Sequence, residues 1–179
     1  MAKILLLGPG TNPRRVRSDK EFDCKADEVY VVDRAKSAQD YWFYRGAIQL
    51  DVPLELSTSQ FGEDFDEVHG YEIFNLLPGD AHTFFSLWGR ISRCLKKGGR
   101  VYGTVPHWES EWIYAYPGQQ RVYTIPLLLY LDTTASLGAK EDFSYYWPPE
   151  NDLKLVEAAE VLKDGKKIGL HFILEKVND

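Results

Sequence analysis

The chain holds 179 residues, 44% of them apolar and 14% aromatic, with 21 Lys and Arg against 27 Asp and Glu for a net charge of −6. That length suits a single domain, spanning 1–179, with a core that needs no staples. The acidic balance argues against broad binding to nucleic acid or anionic membrane, which calls for a basic face.

Cys24 and Cys94 stand far apart and outside any metal-binding spacing. Neither a disulfide scaffold nor a cysteine zinc site is expected, no metal is assigned, and free thiols fit a cytoplasmic setting. The first apolar run, Ile4–Leu7, is too short for a signal-peptide core or for a spanning helix, which needs ~20 residues.

Lys3–Leu7, closed by Gly8-Pro9-Gly10, reads as a strand buried on both faces. Thr11–Asp27 carries Pro13, Arg14, Arg15 and Arg17 with few apolar residues and makes a poor helix. Val29–Val32, ended by Asp33, is a second strand, and Ala47–Leu50, ended by Asp51, a weaker third. Phe65–Gly70 leads into Tyr71 and Glu72 as a fourth, and Arg100–Val105 into Pro106 and His107 as a fifth. Between these two, Phe84, Phe85, Leu87, Trp88, Ile91 and Leu95 fall at helical spacings. Lys96-Lys97 then Gly98-Gly99 suggest basic residues in the last turn and a glycine stop. A strand–helix–strand crossover is the unit of a parallel sheet.

The segment 108–149 is rich in Trp, Tyr and Pro, with one short helix at Pro126–Leu131, and reads as an insert or lid on the acceptor side. At the C-terminus, Leu153–Lys163 and Lys166–Val177 flank Asp164-Gly165, the signature of a β-hairpin. The expected architecture is therefore an open α/β sheet, mostly parallel, that ends in an antiparallel hairpin. Ligands bind such sheets at the carboxyl ends of their strands.

Several of those ends carry chemistry. Gly8-Pro9-Gly10 lets backbone approach a ligand, or simply makes a tight turn. Asp33 is placed to accept from both hydroxyls of an adenosine ribose, or to cap the turn that follows. Asp51 faces the same choice between adenine and a turn. Pro13 stands where a dinucleotide fingerprint wants its third glycine, and without a strong first helix there is no N-terminus to hold a pyrophosphate. Adenosine without phosphates fits better.

KILLLGPG (Lys3–Gly10), VYVVDR (Val29–Arg34), FDEVHGYEIFNL (Phe65–Leu76) and LKKGGRVYGTV (Leu95–Val105) resemble class I S-adenosylmethionine-dependent methyltransferases, in particular small members found in phages and prophages. The resemblance implies a Rossmann-like sheet of seven strands in the order 3-2-1-4-5-7-6 and S-adenosyl-L-methionine as the cofactor. It places Gly8, Pro9 and Gly10 against the methionine part, Asp33 on the ribose, and Arg34, Asp51 and Val52 about the adenine. Tyr71 and Glu72 would wall the sulfonium and its methyl, although Glu72 also suits a helix start. Two departures stand out. Asn12 replaces a frequent third glycine, and Asn75-Leu76 replace an acid–His pair.

Methyl transfer from a sulfonium asks mainly for alignment and exclusion of water. A base helps when the acceptor is protonated, and His107, just past the fifth strand, is the candidate. His69 reads as a satisfied strand residue, and His82 and His171 have no assigned role. Trp108, Trp112, Tyr114 and Arg121 are candidates for the acceptor side, with Glu109, Glu111 and Tyr116 beside them; the aromatics equally suit a small core under the loop. The acceptor and the oligomeric state stay open. Two other readings remain, a catalytically silent methyltransferase fold that only binds and, less favoured, a nicotinamide-dependent oxidoreductase.

Overall fold

The computed structural model describes residues 2–8, 28–33, 62, 64–77, 80–135 and 152–178, together with the backbone of 44–49. Its strands are β1 (Lys3–Leu7), β2 (Glu28–Asp33), β3 (Tyr44–Gln49), β4 (Phe65–Tyr71), β5 (Leu95–Pro106), β6 (Leu153–Lys163) and β7 (Lys166–Lys176). They form one seven-stranded sheet in the order β3-β2-β1-β4-β5-β7-β6. The first five pair in parallel, while β7 runs antiparallel to both β5 and β6. This is the order that the resemblance implies, and the antiparallel hairpin is the one read from the residues.

β1 sits in the middle of the parallel half and is buried on both faces. Leu5 and Leu7 point to the larger core, and Ile4 and Leu6 to a smaller cluster with Val29 and Val31. Such two-sided burial is why its sequence is continuously apolar rather than alternating. On β4 the same alternation gives two unlike faces. Val68 enters the larger core, while Glu67 and His69 lie across from Ile4 and Leu6.

The larger core is closed by α1 (Ala81–Cys94), whose Phe84, Phe85, Leu87, Trp88, Ile91 and Cys94 are all buried against the sheet. Asp80 caps its start by accepting from the Thr83 amide at 2.8 Å, which satisfies one of the unpaired N–H groups of the first turn. The helix stops earlier than its charge pattern suggests. Leu95 is already extended and pairs with Phe65, because both side chains are buried in the core. Lys96 and Lys97 therefore belong to the start of β5, where Lys96 forms an ion pair with Asp66, and Arg93 is the basic residue of the last helical turn.

β5 is accordingly longer than the run Arg100–Val105, and β3 begins three residues before Ala47. Two short helices follow β5. Of these, α2 (Trp112–Ala115) carries no helical periodicity in its sequence. The other, α3 (Ile125–Leu131), has Thr124 as its cap and Pro126 in its first turn, matching the expected helix. The hairpin turn is as expected too. Asp164 and Gly165 take φ of 51° and 74°, the left-handed pair that a two-residue turn with the twist of the strands requires.

Aromatic rings lock these layers. Phe172 lies across Gly103 of the neighbouring strand, so that a Cβ there would stand 2.1 Å from its ring. Gly103→Ala must therefore displace Phe172, and we expect a loss of about 1–3 kcal/mol, seen as a lower urea midpoint with an unchanged slope.

Asp132, at the end of α3, holds the following turn to the hairpin. One carboxylate oxygen accepts from the Thr134 amide (2.7 Å), the Thr134 hydroxyl (2.6 Å) and the Ala135 amide (3.1 Å), and the other from the Leu155 amide on β6 (3.0 Å). Burial works to raise its pKa, but these bonds from Thr134, Leu155 and Ala135 hold it below the usual value. A carboxylate so depressed stabilises the fold fully above its unfolded pKa of about 3.9 and loses that contribution as pH falls through the lower folded value. Asp132→Asn should thus lower stability at pH 7 by about 1–3 kcal/mol and flatten the acid limb of a stability-against-pH curve.

Candidate functional site

The parallel strands bring three chain segments together at their carboxyl ends. Gly8 leaves β1 with φ of 57° and donates its amide to the Val32 carbonyl at 2.8 Å. That bond sets the glycine turn beside Asp33, which ends β2 and is about nine-tenths buried. On the other side, Leu7 pairs with Gly70 of β4. The chain leaving β4 then turns at Glu72, whose φ is 54° and whose amide bonds the Thr104 carbonyl at 2.6 Å.

Gly8 also faces Ile73, since a Cβ on it would lie 2.7 Å from that side chain. Glycine is needed here for two reasons, the left-handed backbone and the close approach of the β4 exit. Asp33 has two oxygens with which to accept from a vicinal diol. Pro9, Gly10, Arg34, Asp51 and Val52, along with Asn12, Pro13 and the arginines at 14, 15 and 17, lie outside the described residues.

Tyr71 and Glu72 both stand at this edge, Tyr71 partly buried and Glu72 exposed. The Tyr71 hydroxyl is 2.9 Å from Nδ1 of His69, whose Nε2 is 2.7 Å from the Glu67 carboxylate. His69 is thus the satisfied strand residue expected, and its ring stacks on Tyr102 with centroids 4.7 Å apart. Glu67 carries no assignment in the sequence. The i, i+2, i+4 spacing of the three residues on a strand was the signal that they share a face.

Asn75 is nearly fully buried and belongs to a short 3-10 turn, Phe74–Leu76. Its amide donates to Gln119 Oε1 at 2.7 Å, its backbone carbonyl accepts from the amides of Gln120 (2.9 Å) and Arg121 (3.1 Å), and Gln119 in turn donates to the Arg121 carbonyl. Where the resemblance expects an acid, this chain uses an amide to fasten residues 119–121 over the β4 exit. The Arg121 guanidinium lies 4.3 Å from the Phe84 ring centroid.

The remaining candidates sit on the segment that follows β5. His107 is buried. Its Nδ1 accepts from the Glu109 amide at 3.1 Å, and its Nε2 is 3.3 Å from Glu160 on β6. Both ring nitrogens are engaged with the insert and the hairpin, on the side of β5 away from β1. Trp108, Trp112, Tyr114 and Tyr116 are 49%, 71%, 82% and 55% exposed, while Ile113 between them anchors α2 in the interior. They form a solvent-facing aromatic rim rather than a core under the loop.

No group of acidic, His or Cys side chains with metal-binding geometry occurs among the described residues. Nor is any helix among them long and apolar enough to cross a membrane.

No protein-family model matches the sequence, and no curated protein does so. Solved structures do. A chain of the complex between the Haloferax volcanii Trm112 methyltransferase activator and a putative methyltransferase matches with TM-score 0.59 and 15% identity, over 99% of this chain and 83% of its own. An S-adenosylmethionine-dependent methyltransferase from Clostridium acetobutylicum matches with TM-score 0.61 and 12% identity, over 98% and 84%. The Burkholderia thailandensis 1,6-didemethyltoxoflavin-N1-methyltransferase, with its substrate and S-adenosylhomocysteine bound, matches with TM-score 0.60 and 16% identity, over 99% and 72%. The fold is that of the class I methyltransferases. At these identities the likeness concerns the methyltransferase fold alone, and the affinity to small phage-type members draws no support from these neighbours.

The Asn75 fastening invites a direct check. Asn75→Ala removes the side-chain bond to Gln119 and keeps the backbone carbonyl that holds Gln120 and Arg121, so amide hydrogen exchange at residues 119–121 should rise by up to about tenfold while exchange in β1 stays as it was, since one buried hydrogen bond contributes about 1 kcal/mol.

Proposed function

We propose that this protein transfers a methyl group from S-adenosyl-L-methionine, bound at the carboxyl ends of β1, β2 and β4, to an acceptor held under the aromatic insert. The carrying observation is the convergence of the Gly8 turn, the buried Asp33 and the Tyr71–Ile73 exit on one edge of a sheet with this strand order. Structural neighbours with S-adenosylhomocysteine bound support the reading.

In this proposal Asp33 accepts from the two ribose hydroxyls, and Gly8, with Pro9 and Gly10, lets the backbone close on the methionine moiety. Arg34, Asp51 and Val52 border the adenine, while Tyr71 and Glu72 wall the side on which the methyl is presented. The cofactor supplies a methyl already activated by its sulfonium, so the protein's own task is to orient the acceptor and keep water out. Trp108, Trp112 and Tyr114 offer flat apolar surface at the rim, and Arg121, fixed over Phe84, closes its inner end. Their exposure suits an acceptor with a planar or apolar part. His107 is not carried forward as the base, because its nitrogens are committed to Glu109 and Glu160. A cytoplasmic setting fits this chemistry and the free, buried Cys94.

Calorimetric titration with S-adenosylmethionine, S-adenosylhomocysteine and NAD tests the reading. Micromolar binding of the first two and none of NAD is expected, with Asp33→Ala weakening both by about 10- to 100-fold, the effect of losing charge-assisted hydrogen bonds. Full affinity in Asp33→Ala would remove the assigned site. Binding of NAD alone would favour the oxidoreductase. Cofactor binding without S-adenosylhomocysteine release on phenol, amine and thiol acceptors would favour the silent module.

A further inference from the structure

His107 follows β5 directly, and its buried ring has polar partners on two sides. Towards the insert, Nδ1 accepts from the Glu109 amide across 3.1 Å, and the Ser110 amide closes the same turn on the His107 carbonyl at 2.8 Å. Towards the hairpin, Nε2 lies 3.3 Å from the Glu160 carboxylate on β6, and the His107 amide bonds the Ile168 carbonyl of β7 at 3.1 Å. One residue thus ties the first turn of the aromatic insert to the closing hairpin.

These partners settle where the ring hydrogen sits. A backbone amide only donates, so Nδ1 is bare, and the neutral ring carries its hydrogen on Nε2, facing a carboxylate that only accepts. Both contacts are then satisfied. Protonation strengthens one and breaks the other. The Nε2 bond to Glu160 becomes charge-assisted. At Nδ1 the added proton meets the N–H of Glu109, two donors head to head, and no bond survives between them. The ring stays with Glu160, and the Glu109 amide is the group that gives way.

The charged groups around the ring suit that exchange. Glu160 is paired with Lys167 of β7 at 3.0 Å, and Lys167 also lies 3.5 Å from the Glu109 carboxylate. Lys167 first, and His107 after it, hold the Glu160 carboxyl below the usual carboxylate range, so it is still an anion at about pH 5. His171 points to the other face of β7, since Leu170 and Phe172 on either side of it enter the core. Trp108 brings only its ring, 5.6 Å from that of His107.

We propose that His107 is a pH-sensitive latch on the aromatic insert. As the neutral ring it holds residues 107–110 against the hairpin; as an imidazolium it keeps Glu160 and lets Glu109 go. Release frees the segment that carries Trp108 and Trp112, so that capture of an acceptor weakens in acid. That consequence rests on the cofactor reading above, whereas the latch is a property of the protein without ligand.

Histidine ¹⁵N spectra and amide hydrogen exchange of the full chain, free of ligand, test it between about pH 8 and about pH 5, where histidines change charge. At the upper end His107 should show the Nε2–H tautomer. As it gains a proton, the protection of the Glu109 and Ser110 amides, corrected for intrinsic exchange, should fall by about three- to tenfold, the effect of losing one hydrogen bond. Protection in β1 should not change. His107→Asn keeps an acceptor near the Nδ1 position but cannot titrate, so the fall should vanish in it; if that variant does not fold, the spectra and exchange of the unaltered protein decide.

An Nδ1–H tautomer, a ring still neutral at about pH 5, protonation without loss of Glu109 protection, or a fall that persists in His107→Asn each overturns the latch and leaves the cofactor site standing. Failure of S-adenosylmethionine to bind would instead remove the consequence for the acceptor and leave the latch.

Discussion

Phe74, Trp88, Tyr123 and Phe172 meet beneath α1, and each element that shapes the carboxyl edge of the sheet is tied to one of these rings. Phe74 belongs to the turn that leaves β4, Trp88 to α1, Tyr123 to the insert after β5 and Phe172 to the hairpin. The rings seat closely because the strands beneath them are bare. Gly70 and Gly103 leave room for Phe74 and Phe172, and any side chain on either glycine would enter a ring. Close aromatic packing of this kind is sensitive to fractions of an ångström, so the edge inherits its geometry from the core. The Tyr123 hydroxyl is sealed into the same cluster, where burial pushes its pKa well up and keeps it a phenol.

The two faces of β4 divide the labour that follows. One is apolar and holds α1, while the other carries Glu67, His69 and Tyr71 in a line. A strand in the middle of a sheet can present such opposed chemistry only because its side chains alternate. The insert after β5 is divided in the same way. Ile113, Tyr123 and Leu128 anchor it, Asn75 and Gln119 fasten it over the β4 exit, and its aromatic rim stays in solvent.

Local rules were strong where they were legible. The apolar run of β1, the abrupt end of β2 at Asp33, the capped α3 and the Asp164-Gly165 turn each depend on a few neighbouring residues, and the structure has them where the chain implies. The misplaced boundary at the end of α1 shows where that logic stops. Lys96, Lys97 and two glycines make a persuasive helix terminus, yet burial of Cys94 and Leu95 against the core ends the helix first. Propensity in a single turn amounts to tenths of a kcal/mol, whereas burying a leucine contributes about 2 kcal/mol.

What the sequence determined by itself was the strands of a mostly parallel sheet, the hairpin and the corner in which a glycine meets an acid, because these follow from periodicity, turn chemistry and the ends of strands; the order of the strands came from the resemblance to the methyltransferases. Only the tertiary structure decided what Asn75 and His107 are bound to, that Trp108, Trp112, Tyr114 and Tyr116 stay in solvent while Tyr123 of the same insert is buried, and that Glu67, His69 and Tyr71 act on one another. Asn75 and Gln119 are 44 positions apart, and His107 follows β5 while Glu160 lies on the edge strand β6. Contacts between residues so distant are settled by how layers pack, and no local pattern in the chain records them.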